Sequence, residues 1–521
     1  MVMGRTLDTR ERVTRLLQRT GFDAGPDAVD AAERSGFDAT LDRVLATARD
    51  PGADLTPVPR LGPLPPRSAK AEERLEKRKG RNGRPRGTPG GEESDGARDS
   101  DGARATEGSG DPDGARDPDD EPSAGASASA ETGAGAETGD GTGDGAGADP
   151  VRKKFRQALK QQREEVTLWW LDRMVAAEHP WEEKRTLLWH NHWATSIQKV
   201  KSGAAMLRQN ETLRRLGGGD FRALARAMVV DPALMVWLDA DGSTAKAPNE
   251  NLARELMELF VLGVGNYTEA DVREAAAALT GWTLDRNAHP WESRFQPRRH
   301  DPAPRTVVGE KAGFTALTLV DHLVSLPDSR AHVAGRMWRA LVSNENKPSE
   351  AALARIVAAY GERRDSTALF RALFTDEAFA DADNVLVKQP IEYVVGSLRA
   401  FGVRPSELPE KVRGQLLTRT LAGLGQVPFA PESVGGWPAG AAWLTTAAAQ
   451  VRIGFAQGLV RRADLSDVED ASAKERPELL ARKLGVGRWG DTTRAVLTAA
   501  ARDPRHVTAV ALTAPEHLVL S

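Results

Sequence analysis

No cysteine occurs among the 521 residues. Disulfides, thiolate metal sites, iron–sulfur clusters and cysteine nucleophiles are therefore excluded, and the composition fits a reducing compartment. Long apolar runs are missing as well. Nothing approaches the roughly 18 residues of a transmembrane helix, and Met1 to Phe22 has no apolar core behind a basic end, so no secretory signal is read there. A soluble, cytoplasmic protein is the expectation. Also lacking are a P-loop, a dinucleotide-binding glycine fingerprint, H-E-x-x-H, G-x-S-x-G and the kinase motifs, so no nucleotide cofactor is expected. Gly217-Gly218-Gly219 precedes a helix at Asp220 but follows no strand, which makes it a weak phosphate signal.

Aromatics are scarce at 5%, and all 12 tryptophans and all 9 histidines fall after residue 150. Charge is also uneven. Residues 91–150 carry a net −14, residues 68–90 a net +5, and the remainder +6, within an overall −3. That modest positive remainder does not argue for nucleic acid. Over 68–150 the only large apolar side chain is Leu75, and DGAR recurs at Asp95, Asp101 and Asp113. Such a low-complexity segment cannot bury enough surface to offset its chain entropy, and it is read as a disordered acidic insertion. The expected organisation is an N-terminal helical segment, 1–67, packing on a main helical domain, 151–521, with the insertion between them. Strand-like alternation is rare. The fold class is mainly α, a multi-helical body with long loops and at most a small β-hairpin ending at Thr306 to Gly309.

The densest information lies in Asn249 to Trp282, NENLARELMELFVLGVGNYTEADVREAAAALTGW. Its first helix is apolar around most of its circumference, with Asn251, Arg254, Glu255 and Glu258 gathered in one stripe. Such charges must pair, face water or line a site. Arg254 with Glu258, and Asn251 with Glu255, have the i, i+4 spacing of intrahelical pairs. Glu255 borders the apolar side and is a candidate base or metal ligand. Gly263 or Gly265 supplies a left-handed cap, and Thr268 with Asp271 forms a capping box, which assigns Glu269 and Asp271 to helix initiation.

Trp189-His190-Asn191-His192-Trp193 is the second constellation. On a helix, residues i and i+2 point nearly opposite ways, so at most one histidine enters any one site. The third is Arg298-Arg299-His300-Asp301, in a Pro/Arg/His-rich loop suited either to an anion pocket or to plain solvation. Gly435-Gly436-Trp437-Pro438 and Trp443 read as a loop anchored by its aromatics.

Taken together, LLWHNHWATS (Leu187 to Ser196), DPALMVWLD (Asp231 to Asp239), the Asn249–Trp282 stretch, RRHDPAPRTVVG (Arg298 to Gly309), LGQVPFAPESVGGWPAGAAWL (Leu424 to Leu444) and RLLQRTGF (Arg15 to Phe22) resemble the bacterial family catalogued as domain of unknown function 1800. The resemblance covers the chain apart from 68–150. It marks Asn191, His192, Asn249, Glu250, Asn251, Arg254, Glu255, Glu258, His300 and Asp301 as motif members without assigning roles. It also implies a partner, a neighbour-encoded protein related to sulfatases and alkaline phosphatases.

Two readings follow. In one, His192, Glu255, Glu258, His300 and Asp301 converge as a catalytic set or a divalent-metal site, with Asn191, Asn249, Asn251, Arg254, Arg298 and Arg299 as binding residues. In the other, the same polar groups form a buried network that fixes helix register in a non-catalytic scaffold or accessory protein.

Overall fold

Helix starts are written into the chain as side-chain caps. Asp8 and Glu11 form a capping box that opens the helix Thr9–Thr20. Asp231 accepts from the N–H groups of Ala233 and Leu234 at the head of Pro232–Trp237, where Pro232 occupies the first turn. Thr268 and Asp271 close the box that starts Glu269–Ala278, as the sequence predicts. Each cap satisfies N–H groups that a helix cannot pair internally.

The computed structural model describes residues 5–46, 50–68, 73 and 150–520. Two units are distinguished, Met1–Leu64 together with Arg156–Ser521, and Pro65–Phe155. Of the second, residues 65–68, 73 and 150–155 are described, the last six being helical. The reading of 68–150 as a disordered insertion therefore lies outside the described residues, apart from Ser68, Glu73 and Pro150.

The fold is mainly α. Among the described residues the strands form three two-stranded antiparallel pairs. β1 (Trp282–Asp285) meets β2 (Glu292–Phe295), β3 (Arg305–Val307) meets β4 (Glu310–Ala312), and β5 (Leu386–Val387) meets β6 (Val519–Leu520). The sequence pattern predicts one hairpin at most, because strands of two to four residues are too short to show alternation. Five α-helices among the described residues also escape the pattern reading, Gly203–Leu216, Pro232–Trp237, Ser466–Asp470, Pro504–Leu512 and Pro515–Leu518. The helix predicted over 181–200 stops at His192 and resumes as Ile197–Val200.

The unit Met1–Leu64 with Arg156–Ser521 holds two apolar cores. One gathers Val13, Leu16, Phe221, Leu256, Phe260 and Phe370. The other gathers Trp170, Ile391, Val394, Leu421, Phe429 and Trp489. Helix Trp181–His192 feeds both, with Trp181, Leu188 and Trp189 in the first and Leu187 in the second. It is buried on nearly every side, and even Glu183, Lys184 and Arg185 are withdrawn from water. Trp193 packs at a tilt against Phe260 with ring centroids 4.5 Å apart, and Trp189 stacks on Phe221 at 5.5 Å. Truncating either tryptophan to alanine costs on the order of 3–5 kcal/mol.

Candidate functional site

Asn249 caps the motif helix, accepting from Asn251 N–H at 2.7 Å. Its own amide donates to the carbonyls of Leu238 and Asp239, just past the end of Pro232–Trp237, and Asn251 donates to Leu238 O at 3.4 Å. The two asparagines thus tie the start of one helix to the unpaired carbonyls of another. The helix runs as a regular α-helix over Glu250–Glu255 and widens to a π turn over Leu256–Val261. Arg254 pairs with Glu269 at 2.6 Å and with Glu250 at 3.8 Å, and Glu258 accepts from the Tyr267 hydroxyl at 2.7 Å. The intrahelical Arg254–Glu258 pair expected from spacing is replaced by bonds to the next helix and its leading turn. Uniform α spacing does not hold through a π turn, so the i, i+4 rule fails there. Glu255 is half-buried, and burial followed by the nearby Glu258 pushes its carboxyl above the usual carboxylate range.

The last carbonyls of this helix have no partner within it. Two histidines supply one. His192 Nε2 donates to Phe260 O at 2.9 Å, and His332 Nε2 donates to Leu259 O at 2.9 Å. His192 is fully buried, and burial, then the charges of Arg336 and His332, hold its pKa well below the ordinary histidine value. Neutral His192 therefore carries its proton on Nε2, leaving Nδ1 buried without a partner. Gly263, at φ +87°, ends the turn where a Cβ would stand 2.7 Å from His332 Nδ1. Both Gly263 and Gly265 hold the left-handed conformation the sequence assigns to one of them.

His190, two residues before His192, faces the opposite way. Its Nε2 accepts from Phe429 N–H at 3.1 Å, and burial lowers its pKa to about 3. Asn191 Oδ1 accepts from Trp437 N–H at 2.7 Å, and a Cβ at Gly436, at φ +89°, would collide with the same side chain. The three residues of HNH thus bind three backbone positions in two other segments.

In the loop, His300 Nδ1 donates to Thr280 O at 3.1 Å. The Thr280 hydroxyl accepts from Asp301 N–H at 2.9 Å and donates to Ala277 O at 2.7 Å. Asp301 is ion-paired with Arg305. Its pKa is lowered, first by the Ala303 N–H and also by Arg305. Gly281, at φ +94°, lies where a Cβ would meet Phe295 and His300. Arg298 and Arg299 form a short 3₁₀ turn, and the Arg299 carbonyl accepts from Ala245 N–H at 2.9 Å.

Two buried charge networks lie outside these motifs. Glu183 receives Arg214 at 2.7 Å and Arg173, and Trp170 Nε1 donates to it at 2.8 Å. Burial alone would raise its pKa, but Arg214 and Arg173 outweigh burial and hold it at about 2. An open cleft of about 620 Å³ beside this network is lined by Arg173, Glu182, Glu211, Arg214 and Arg215, among others. Glu182 is raised by burial and then by Glu183. In the second network Lys184 pairs with Glu392, and Lys388 Nζ donates to His517 Nδ1 at 3.1 Å. Burial lowers Lys388 to about 7 against the pull of Glu392 and Asp23. Arg19 is fully buried nearby and donates to Leu520 O at 3.0 Å.

A family model described as Protein of unknown function (DUF1800) matches residues 15–519. The chain belongs to the DUF1800 family. No curated protein and no solved structure matches it.

The DUF1800 motif members fall into three clusters. The first is Asn249, Glu250, Asn251, Arg254, Glu255 and Glu258 on one helix, the second Asn191 and His192 at another helix end, and the third His300 and Asp301 beside Thr280. His192 reaches the motif helix at its Phe260 carbonyl, and no bond links it to Glu255 or Glu258. Among the described residues no group of three or more His, Asp or Glu is arranged to hold a metal ion. No helix among them is long and apolar enough to cross a membrane. Motif reasoning misses Glu183, Arg173, Arg214, Lys184, Glu392 and Lys388. The available signal is WEEKR (Trp181 to Arg185), a run of charges set among tryptophans in a chain with few aromatics.

Proposed function

We propose that this DUF1800 member is a non-catalytic helical scaffold, an accessory protein for a neighbour-encoded partner of the sulfatase and alkaline phosphatase kind. The observation that carries this reading is that His190, Asn191 and His192 all direct polar atoms to the backbone of other segments, at Phe429, Trp437 and Phe260. Asn249, Asn251, Arg254 and Glu258 are likewise bonded to neighbouring turns. A polar set committed to fastening is the arrangement expected of register control. The test combines metal analysis of the purified chain with co-purification from cells that co-express the neighbour-encoded protein. Metal-free protein that retains the partner is expected. Stoichiometric metal that is lost in folded Glu255→Ala and His192→Ala would overturn the proposal in favour of a divalent-metal site.

One observation favours a second, hydrolytic reading. His300 turns Nδ1 toward Thr280, at its carbonyl and hydroxyl oxygens, and so presents Nε2 as the ring nitrogen that a general base or metal ligand would use. Hydrolysis of a chromogenic ester that disappears in His300→Ala would establish this second reading, and an equal rate in both proteins would remove it.

A further inference from the structure

Arg336 lies one turn beyond His332 on the helix Pro327–Leu341, so the two side chains share a face. That helix packs against both Trp181–His192 and the π turn Leu256–Val261. His332 is anchored there by its bond to Leu259 O, and its ring stands 6.4 Å from that of His192. Arg336 is half-buried and makes no hydrogen bond or ion pair among the described residues. Arg364 shows the contrast, since it is buried but donates to the carbonyls of Val324, Ser325 and Gly361. Arg339, three residues beyond Arg336, is exposed. The charge of Arg336 is felt by both rings, lowering the pKa of His332 and of His192.

A guanidinium held partly out of water without an acceptor loses solvation and gains nothing in return. Burial and the charge of Arg339 lower its pKa, and no carboxylate acts on it. An oxyanion removes that deficit, because the planar fork of arginine matches two oxygens of a phosphate.

We propose that Arg336, backed by His332 and with Arg339 at the surface, is a binding site for a phosphate-type oxyanion. The phosphate is either free or the terminal group of a larger molecule. The site is independent of the scaffold reading.

Thermal unfolding and calorimetric titration of the full chain with inorganic phosphate test this, against chloride at equal ionic strength and with glycerol phosphate as a second probe. Saturable stabilisation by at least one phosphate is expected in the wild type, and its loss in Arg336→Gln. Tighter binding of glycerol phosphate points to a larger ligand, and tighter binding of inorganic phosphate to the free ion. If Arg336→Gln fails to fold, Arg336→Lys keeps the charge but loses the fork, and affinity is expected to fall by about tenfold. No binding by the wild type, or equal binding by wild type and variant, overturns the proposal.

Discussion

His192 donates from Nε2 to the Phe260 carbonyl across 2.9 Å, joining the end of the WHNHW helix to the end of the motif helix. A helix terminus leaves its last carbonyls unpaired, and a fully buried terminus cannot turn to water for a partner. The histidine does there what solvent does at an exposed end.

Burial of the same histidine sets a pH dependence, which its bond to Phe260 O partly opposes. His192 and His517 lie well below the ordinary histidine pKa in the fold, and His190 lies at about 3. A group with a depressed folded pKa stays neutral while its unfolded counterpart takes up a proton. Unfolding therefore binds protons below pH 6.5, and stability falls as pH drops from there. Urea titrations between pH 7 and pH 5 are expected to show this loss, and a slope reduced by nearly one proton in His190→Phe if that variant folds.

Lys388 extends the trend upward. Its folded pKa of about 7 lies below the ordinary 10.5, so the unfolded chain holds more protons between those values and stability rises with pH across that window. Lys388→Met removes the titrating amine. The variant is expected to flatten the rise in denaturant midpoint above pH 7, and a slope equal to that of the wild type would show that Lys388 does not cause it.

Glu183 acts with the same sign at lower pH. Its folded pKa of about 2 is below 4.5, so its contribution is complete above pH 4.5 and lost as pH falls through 2. Glu183→Gln strands Arg173 and Arg214, and a loss of about 3–5 kcal/mol is expected by chemical denaturation. Replacing Arg214 with Met in the same chain should recover part of it, as coupled neighbours do.

Gly436→Ala tests the fastening at Asn191. The backbone there is left-handed, and a Cβ meets both the side chain and the carbonyl of Asn191. A loss of more than about 1 kcal/mol is expected in the denaturant midpoint, since strain at a positive φ adds to the displaced contact.

Legibility in the sequence followed the locality of the interaction. Thr268 and Asp271 can be assigned because a capping box is complete within four residues, and the left-handed cap can be narrowed to Gly263 or Gly265 because few other residues take that conformation. The mainly helical class followed from apolar spacing. Glu183 and Lys184 were hidden because their partners, Arg214 and Glu392, lie 31 and 208 residues away, and adjacent charges on a helix ordinarily face water. The motif stripe was recognisable as a polar line on an apolar helix, but its pairing was misread because the π turn leaves no trace in the spacing. The role of His192 depends on a backbone carbonyl 68 residues away, which no side-chain pattern reports.

Chemical denaturation of Asn191→Ala and His192→Phe tests most directly whether the motif residues fasten the fold. Each substitution leaves a buried backbone group at Trp437 or Phe260 unpaired, so each should lower unfolding free energy by about 1–3 kcal/mol. Unchanged or increased stability in both variants, the usual result of removing residues held in place for chemistry, would contradict the fastening role.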